Sequence, residues 1–186
     1  MRKNRRAEYR LAYNAQAAVD ADGSQLILGQ YVTNCASDAG ELESAAGSID
    51  PQIGAPKKIL ADSGYVNIDA IESLENAGME VYVPVNSESG NHERRYDFRP
   101  PKEKKPKAIR DPRLLAMQAK MQTDEARKLY AKRKQTVEPV FGIIKAVLGF
   151  RHFHLRGLEK VSTEWSLVTL AYNVKRLHAL MRAATV

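Results

Sequence analysis

Cysteine is nearly absent: Cys35 is the one thiol in 186 residues. A single cysteine excludes an internal disulfide framework and points to a reducing compartment. Cys35 itself is expected to be a small buried residue. Long apolar runs are missing too; none approaches the roughly 18 residues a membrane span needs, so no membrane partner is expected. The opening MRKNRRAEYR is charged but has no apolar core after it, which argues against a secretory signal. Acidic residues are in the minority, 22 Asp and Glu against 29 Lys and Arg, leaving a net charge of +7. Taken alone, that balance favours a polyanionic partner or an anionic membrane surface and does not choose between them. There is no internal repeat, and no zinc-finger, homeodomain or other sequence-reading motif. What is present, 44% hydrophobic residues, suffices for one ordinary domain spanning 1–186.

Leu11–Val19 and Gln25–Thr33 read as two strands joined by the turn Asp20-Ala21-Asp22-Gly23, an antiparallel hairpin. Asp38 followed by Glu41 has capping-box spacing and predicts a helix from about Ala39 to Gly47. Residues 50–56, with Pro51, Gly54 and Pro56, form a loop. Lys58–Asp62 is a short apolar run ending in a carboxylate, a buried strand. Asn67 caps a helix from Ile68 to Ala77, Gly78 ends it, and Met79–Val85 is a further strand. Residues 86–112 are polar, basic and proline-rich, and read as a loop or insertion. Asp111-Pro112 starts a helix to about Gln122, and Thr123 caps another through Tyr130 and Arg133. Pro139 is expected to kink or restart that helix near Glu138. Phe141, Ile144 and Leu148 share one face. Leu158, Val161, Trp165, Val168 and Tyr172 repeat at 3, 4, 3, 4, with Trp165 and Tyr172 as core residues. Leu167, Val174, Leu177 and Met181 add apolar surface, so the last helix is expected to be largely buried.

Two acids stand out. Asp62 ends a buried strand before Ser63-Gly64, and in open α/β sheets sites lie off the carboxyl ends of strands. Equally, it reads as a turn aspartate that caps local backbone. Glu138 is a lone acid in the basic run Lys132-Arg133-Lys134; it reads alternatively as one member of a surface ion pair. Together the two suit phosphodiester chemistry, in which carboxylates hold divalent ions and nearby cations, here Arg133 and Lys145, hold phosphate. From Arg94 to Lys134 there are fifteen Lys and Arg against five Asp and Glu, either a solvated face or a surface for a DNA backbone. His152 and His154 suit phosphate contact or local packing, and Tyr65 stacking near Asp62 or packing.

Four stretches in order carry a resemblance: YNAQAAVD at 13–20, ADSGY at 61–65, Arg133–Lys145 with its VEPVFGIIK core, and GFRHFHLRGLEKV at 149–161. The sequence resembles the DDE transposases of bacterial insertion sequences over about residues 13–178. That resemblance implies a ribonuclease-H-like mixed sheet flanked by helices. It implies metal-dependent DNA cleavage and strand transfer with Mg2+ or Mn2+. It also implies double-stranded DNA partners (transposon ends and target), a homodimer when complete, and a cytoplasmic, nucleoid-associated place. It makes Asp62 the second catalytic acid and Glu138 the third, both metal-binding. Tyr130, Arg133, Glu138 and Lys145 map onto the family's tyrosine, arginine, glutamate and lysine signature. One extra residue between Arg133 and Glu138 makes Lys134 an alternative to Arg133.

The family's first aspartate lies on a central strand ahead of the hairpin. Here only a dozen residues precede Tyr13; they include Glu8 but no apolar run with an aspartate. The first central strand and its acid are therefore expected to be missing, with Asp20 a turn residue and Asp38 a helix cap. A sheet without its centre leaves backbone unpaired. The expectation is a chain inactive by itself and poorly folded, either a degraded gene copy or one half of a split product completed by another chain that supplies the N-terminal part. A non-catalytic DNA-binding remnant and a basic RNA-binding domain are the competing readings.

Overall fold

The computed structural model describes residues 12–85 and 109–185. Most of the basic, proline-rich stretch 86–112 and Glu8 lie outside the described residues. The order is β1 (Asn14–Val19), β2 (Ile27–Thr33), α1 (Leu42–Gly47), β3 (Lys58–Leu60), a 3-10 turn (Ser63–Tyr65), α2 (Ile68–Asn76), β4 (Glu80–Tyr82), α3 (Pro112–Gln122), α4 (Asp124–Ala146) and α5 (Leu158–Ala184). This is a mixed α/β fold of small sheets flanked by helices. β1 and β2 pair antiparallel, with a bulge at Ala18/Val19; β3 and β4 pair parallel. Among the described residues the two pairs remain separate two-stranded sheets.

Local chemistry explains most boundaries. In the hairpin turn the Asp20 carboxylate accepts hydrogen bonds from the backbone of Asp22 and Ser24 and from the Ser24 hydroxyl. Burial works against its charge, but these bonds outweigh that and hold its pKa below the usual value. Gly23 takes φ +112 and Gln25 φ +55. The turn thus consumes residue 25, and β2 starts at Ile27 rather than at Gln25. Asn67 accepts from the N–H groups of Asp69 and Ala70, starting α2. Gly78, at φ +85, ends it, with Gly78 N–H bonded to Glu75 O and Met79 N–H to Leu74 O. Asp111 and Thr123 cap α3 and α4 as expected.

Two expectations about local structure fail. Helix α1 starts at Leu42, not Ala39, and no side chain caps it; Asp38 is engaged elsewhere. Cys35 is exposed. Of the two outcomes expected at Pro139, a restart does not occur: α4 runs through it from Asp124 to Ala146. Proline has no N–H for the carbonyl four residues back, Gln135 O. The side-chain amide of Gln25 donates to that oxygen instead, at 2.9 Å.

Two hydrophobic cores result. The first gathers Leu42, Ala61, Ala70, Ile71, Leu74, Val81, Val83 and Met117 around β3 and β4. The second gathers Ile27, Val32, Val140, Ile144, Val161, Trp165 and Tyr172 between the hairpin, α4 and α5. Trp165 and Tyr172 are core residues as expected, and Phe141 stacks on Trp165 at 5.9 Å. The expectation of a largely buried α5 does not hold. Leu167, Val174, Leu177 and Met181 are exposed, because α5 meets the body on its Val161–Trp165–Tyr172 side alone.

Candidate functional site at the seam between the cores

Polar side chains join the two cores. Asn14 and Gln16 of β1 donate their side-chain amides to Asp38 Oδ1, at 2.6 and 2.8 Å. Gln16 also accepts, through Oε1, from the Tyr65 hydroxyl. Its backbone carbonyl accepts from the Trp165 indole at 3.0 Å. One residue of β1 thus touches the loop before α1, the 3-10 turn after β3, and α5. Sequence reasoning gave Asp38 only a capping role and did not single out Asn14 or Gln16. The available signal was their alternation on β1, which puts both amides on one face of the strand.

Asp62 lies two residues beyond β3, off its carboxyl end. Both readings of it hold at once. Its Oδ1 accepts from Gly64 N–H at 2.7 Å, capping the 3-10 turn. Its Oδ2 accepts from Arg133 Nη2 of α4 at 2.9 Å. The guanidinium is the more buried partner, at 19% side-chain exposure against 44% for the carboxylate. Asp38 reaches the same place: a Cβ built on Gly64 would lie 2.9 Å from Asp62 Oδ1 and 3.6 Å from Asp38 Oδ2. Tyr65 sits beside both acids. Burial first, then the negative fields of Asp38 and Asp62, push its phenol up to about 12.

Glu138 is exposed on α4. It follows Arg133 by five residues, which is about 140° around the helix and roughly 7.5 Å along it. It stands nearly opposite the buried line Thr136–Val140–Ile144. Lys134, four residues before Glu138, and Lys145, seven after, share its side of α4 by helical spacing. Arg133 instead faces Asp62, so Lys134 rather than Arg133 accompanies Glu138. Tyr130 lies beside Arg133, its ring 5.8 Å from the guanidinium carbon. His152 and His154 pack on one another, ring centres 4.6 Å apart, and the His154 N–H is held by Glu164.

A hard divalent ion needs several carboxylate or water oxygens around one point. Both oxygens of Asp62 are engaged, one by a cation, and Glu138 lies on another side of α4. Among the described residues no three His, Cys, Asp or Glu side chains gather around a common centre. As arranged, the seam does not fit such an ion. What it holds is a carboxylate paired to an arginine, beside a helix face that carries Lys134 and Lys145.

Comparison with curated proteins and with solved structures finds no match. A family model described as Transposase DDE domain matches residues 2–174. That span takes in both cores and the seam between them, and on it the chain belongs to the DDE-domain transposases.

Proposed function

We propose that this chain serves DNA transposition by holding duplex DNA along the solvent face of α4, with Asp62 as the acid of the reaction centre. The observation that carries the reading is the position of Arg133. One helix places a guanidinium on the acid at the end of β3 and, on its other side, presents Lys134, Glu138 and Lys145. Guanidinium and ammonium groups suit phosphate, and a phosphate arriving near Arg133 competes with Asp62 for it. Tyr130, beside Arg133, lines the same approach. Glu138 is the third acid of the proposed centre, and Mg2+ or Mn2+ the ions of the complete assembly. The chain alone, with Asp62 paired to Arg133 and Glu138 turned elsewhere, is proposed to bind DNA without cutting it.

The test is a binding titration of labelled duplex over a salt series. The expected result is affinity that falls with salt by roughly one log unit per log unit of salt for each phosphate contacted. The K134E/K145E double variant is expected to weaken binding and flatten that slope by about one to two. Preference for structured RNA, or an unchanged slope in the variant, refutes the DNA assignment. Incubation of the chain with supercoiled plasmid and Mg2+ or Mn2+ is expected to leave the plasmid intact. Nicking that disappears in Asp62→Asn would overturn the inactivity of the chain and tie Asp62 to chemistry directly.

A further inference from the structure

The connection between α4 and α5, residues 149–157, is neither helix nor strand, yet it is held at many points. Gly149 and Gly157 at its two ends take φ +75 and +91, which glycine enters without strain. Phe150 and Phe153 pack against the second core, Phe153 edge-on to Tyr13 and Trp165 at 6.1 and 6.3 Å. The Glu164 carboxylate of α5 accepts from the N–H groups of His154 and Leu155 at 2.9 and 3.0 Å. The Tyr13 hydroxyl accepts from Gly157 N–H at 2.8 Å. The loop is therefore built before any ligand arrives, and a ligand does not have to order it.

With both phenylalanines turned in, Arg151, His152, His154 and Arg156 are left exposed. The two imidazoles lie 4.6 Å apart, and Phe150 stands 6.3 Å from His154. The polar and charged groups set against them are Glu164 from α5, the Tyr13 hydroxyl from ahead of β1, and Lys145 from α4, whose carbonyl accepts from Arg151 Nε at 3.4 Å. Two uncharged imidazoles sit together at no electrostatic cost. Two imidazoliums at that distance repel unless an anion lies against both. An anion bound here brings protons with it.

The bond from Arg151 to Lys145 makes the loop a continuation of the basic side of α4. Lys134 and Lys145 are eleven residues apart, about 16 Å of helix, and the loop begins beyond that. A single phosphate cannot touch all of it; a run of phosphates can. We infer that residues 151–156 form a second, proton-linked contact with the phosphate backbone of the duplex bound along α4. Arg151 and Arg156 supply the permanent charge, and His152 and His154 take up protons as the backbone docks. The inference rests on the duplex-binding reading of α4. Its sign follows from linkage: the complex binds protons more tightly than the free chain, so affinity rises as pH falls.

The test is fluorescence anisotropy of a labelled duplex with the full chain at fixed ionic strength, from about pH 8 to about pH 6, the range in which histidine changes charge. Wild type is expected to bind about three- to tenfold tighter at the acid end. H152Q/H154Q, at exposed positions, is expected to keep the wild-type dichroism spectrum and lose most of that gain. H152R/H154R is expected to bind at about pH 8 as tightly as wild type does at about pH 6, with little pH dependence. The chain's other two histidines are His92 and His178, and H92Q/H178Q is expected to retain the full gain. Affinity that is flat with pH, or a gain that survives H152Q/H154Q, overturns the inference. If K134E/K145E still weakens binding in that case, the reading of α4 stands without the loop. A chain that binds no duplex at any pH overturns both.

Discussion

The two cores are assembled from different stretches of chain. The first draws its buried members from residues 42–117, and nearly all its elements follow one another directly. The second joins a hairpin at residues 14–33 to helices at 124–184. The first is a local object; the second exists only when distant segments meet. The seam residues Gln16, Asp38, Tyr65, Asp62 and Arg133 hold the two together. The comparison teaches that the candidate site is a property of the join rather than of either core.

The largest expected effect tests whether the join makes one cooperative unit. Trp165→Ala removes the centre of the second core and should cost about 3–5 kcal/mol; Leu74→Ala in the first should cost about 2–5 kcal/mol. Trp165 is the only tryptophan, so its fluorescence reports the second core while far-ultraviolet circular dichroism reports both. In Leu74→Ala the two signals are expected to shift together in urea. Fluorescence that keeps its wild-type midpoint while dichroism moves would show two independently unfolding halves.

Gly29→Ala comes next. An added Cβ would run into Ser48 Oγ and lie 2.8 Å from Ile49 N, where β2 bridges to the end of α1. Overpacking of this kind costs about 1–3 kcal/mol and should appear as a lower thermal midpoint.

A smaller change loosens the seam itself. Tyr65→Phe leaves the buried Gln16 without its hydroxyl donor and should cost roughly 1–2 kcal/mol. The Tyr65 phenol is raised in the folded state to about 12, so the fold binds this proton more tightly than the unfolded chain does. Its contribution is fully present below about 10, the unfolded value, and is lost as pH rises through about 12. Wild-type stability, read from urea unfolding followed by dichroism, is therefore expected to fall between about pH 10 and 12, and that fall should be smaller in Tyr65→Phe. The smallest effect is expected for Gln25→Ala, about 0.5–1.5 kcal/mol, read from urea unfolding.

Much of the first core was legible because its signals are local. Asn67 and Gly78 bracket α2, and Asp111 and Thr123 open α3 and α4, each through a side chain or backbone twist that acts within a few residues. Asp38 misled for the same reason: its spacing to Glu41 matches a cap, but Asn14 and Gln16 compete for the carboxylate from more than twenty residues away. The periodicity of α5 showed which residues share a side and could not show what covers them. Leu167 to Met181 therefore passed for core. Asp62 was legible as a strand-end acid. Its partnership with Arg133, seventy-one positions later, depends on how α4 crosses the join.

The bond from Gln25 to Gln135 O makes the hairpin part of the support of helix α4. Helix α4 carries Arg133, Lys134 and Lys145, yet its hydrogen-bond ladder has a gap at Pro139, which has no N–H to donate to Gln135 O. The missing donor comes from a residue 110 positions earlier, held at positive φ by the hairpin turn. Cut out as a peptide, α4 should fray at that rung. The hairpin therefore acts as a splint for the stretch of α4 between Arg133 and Lys145.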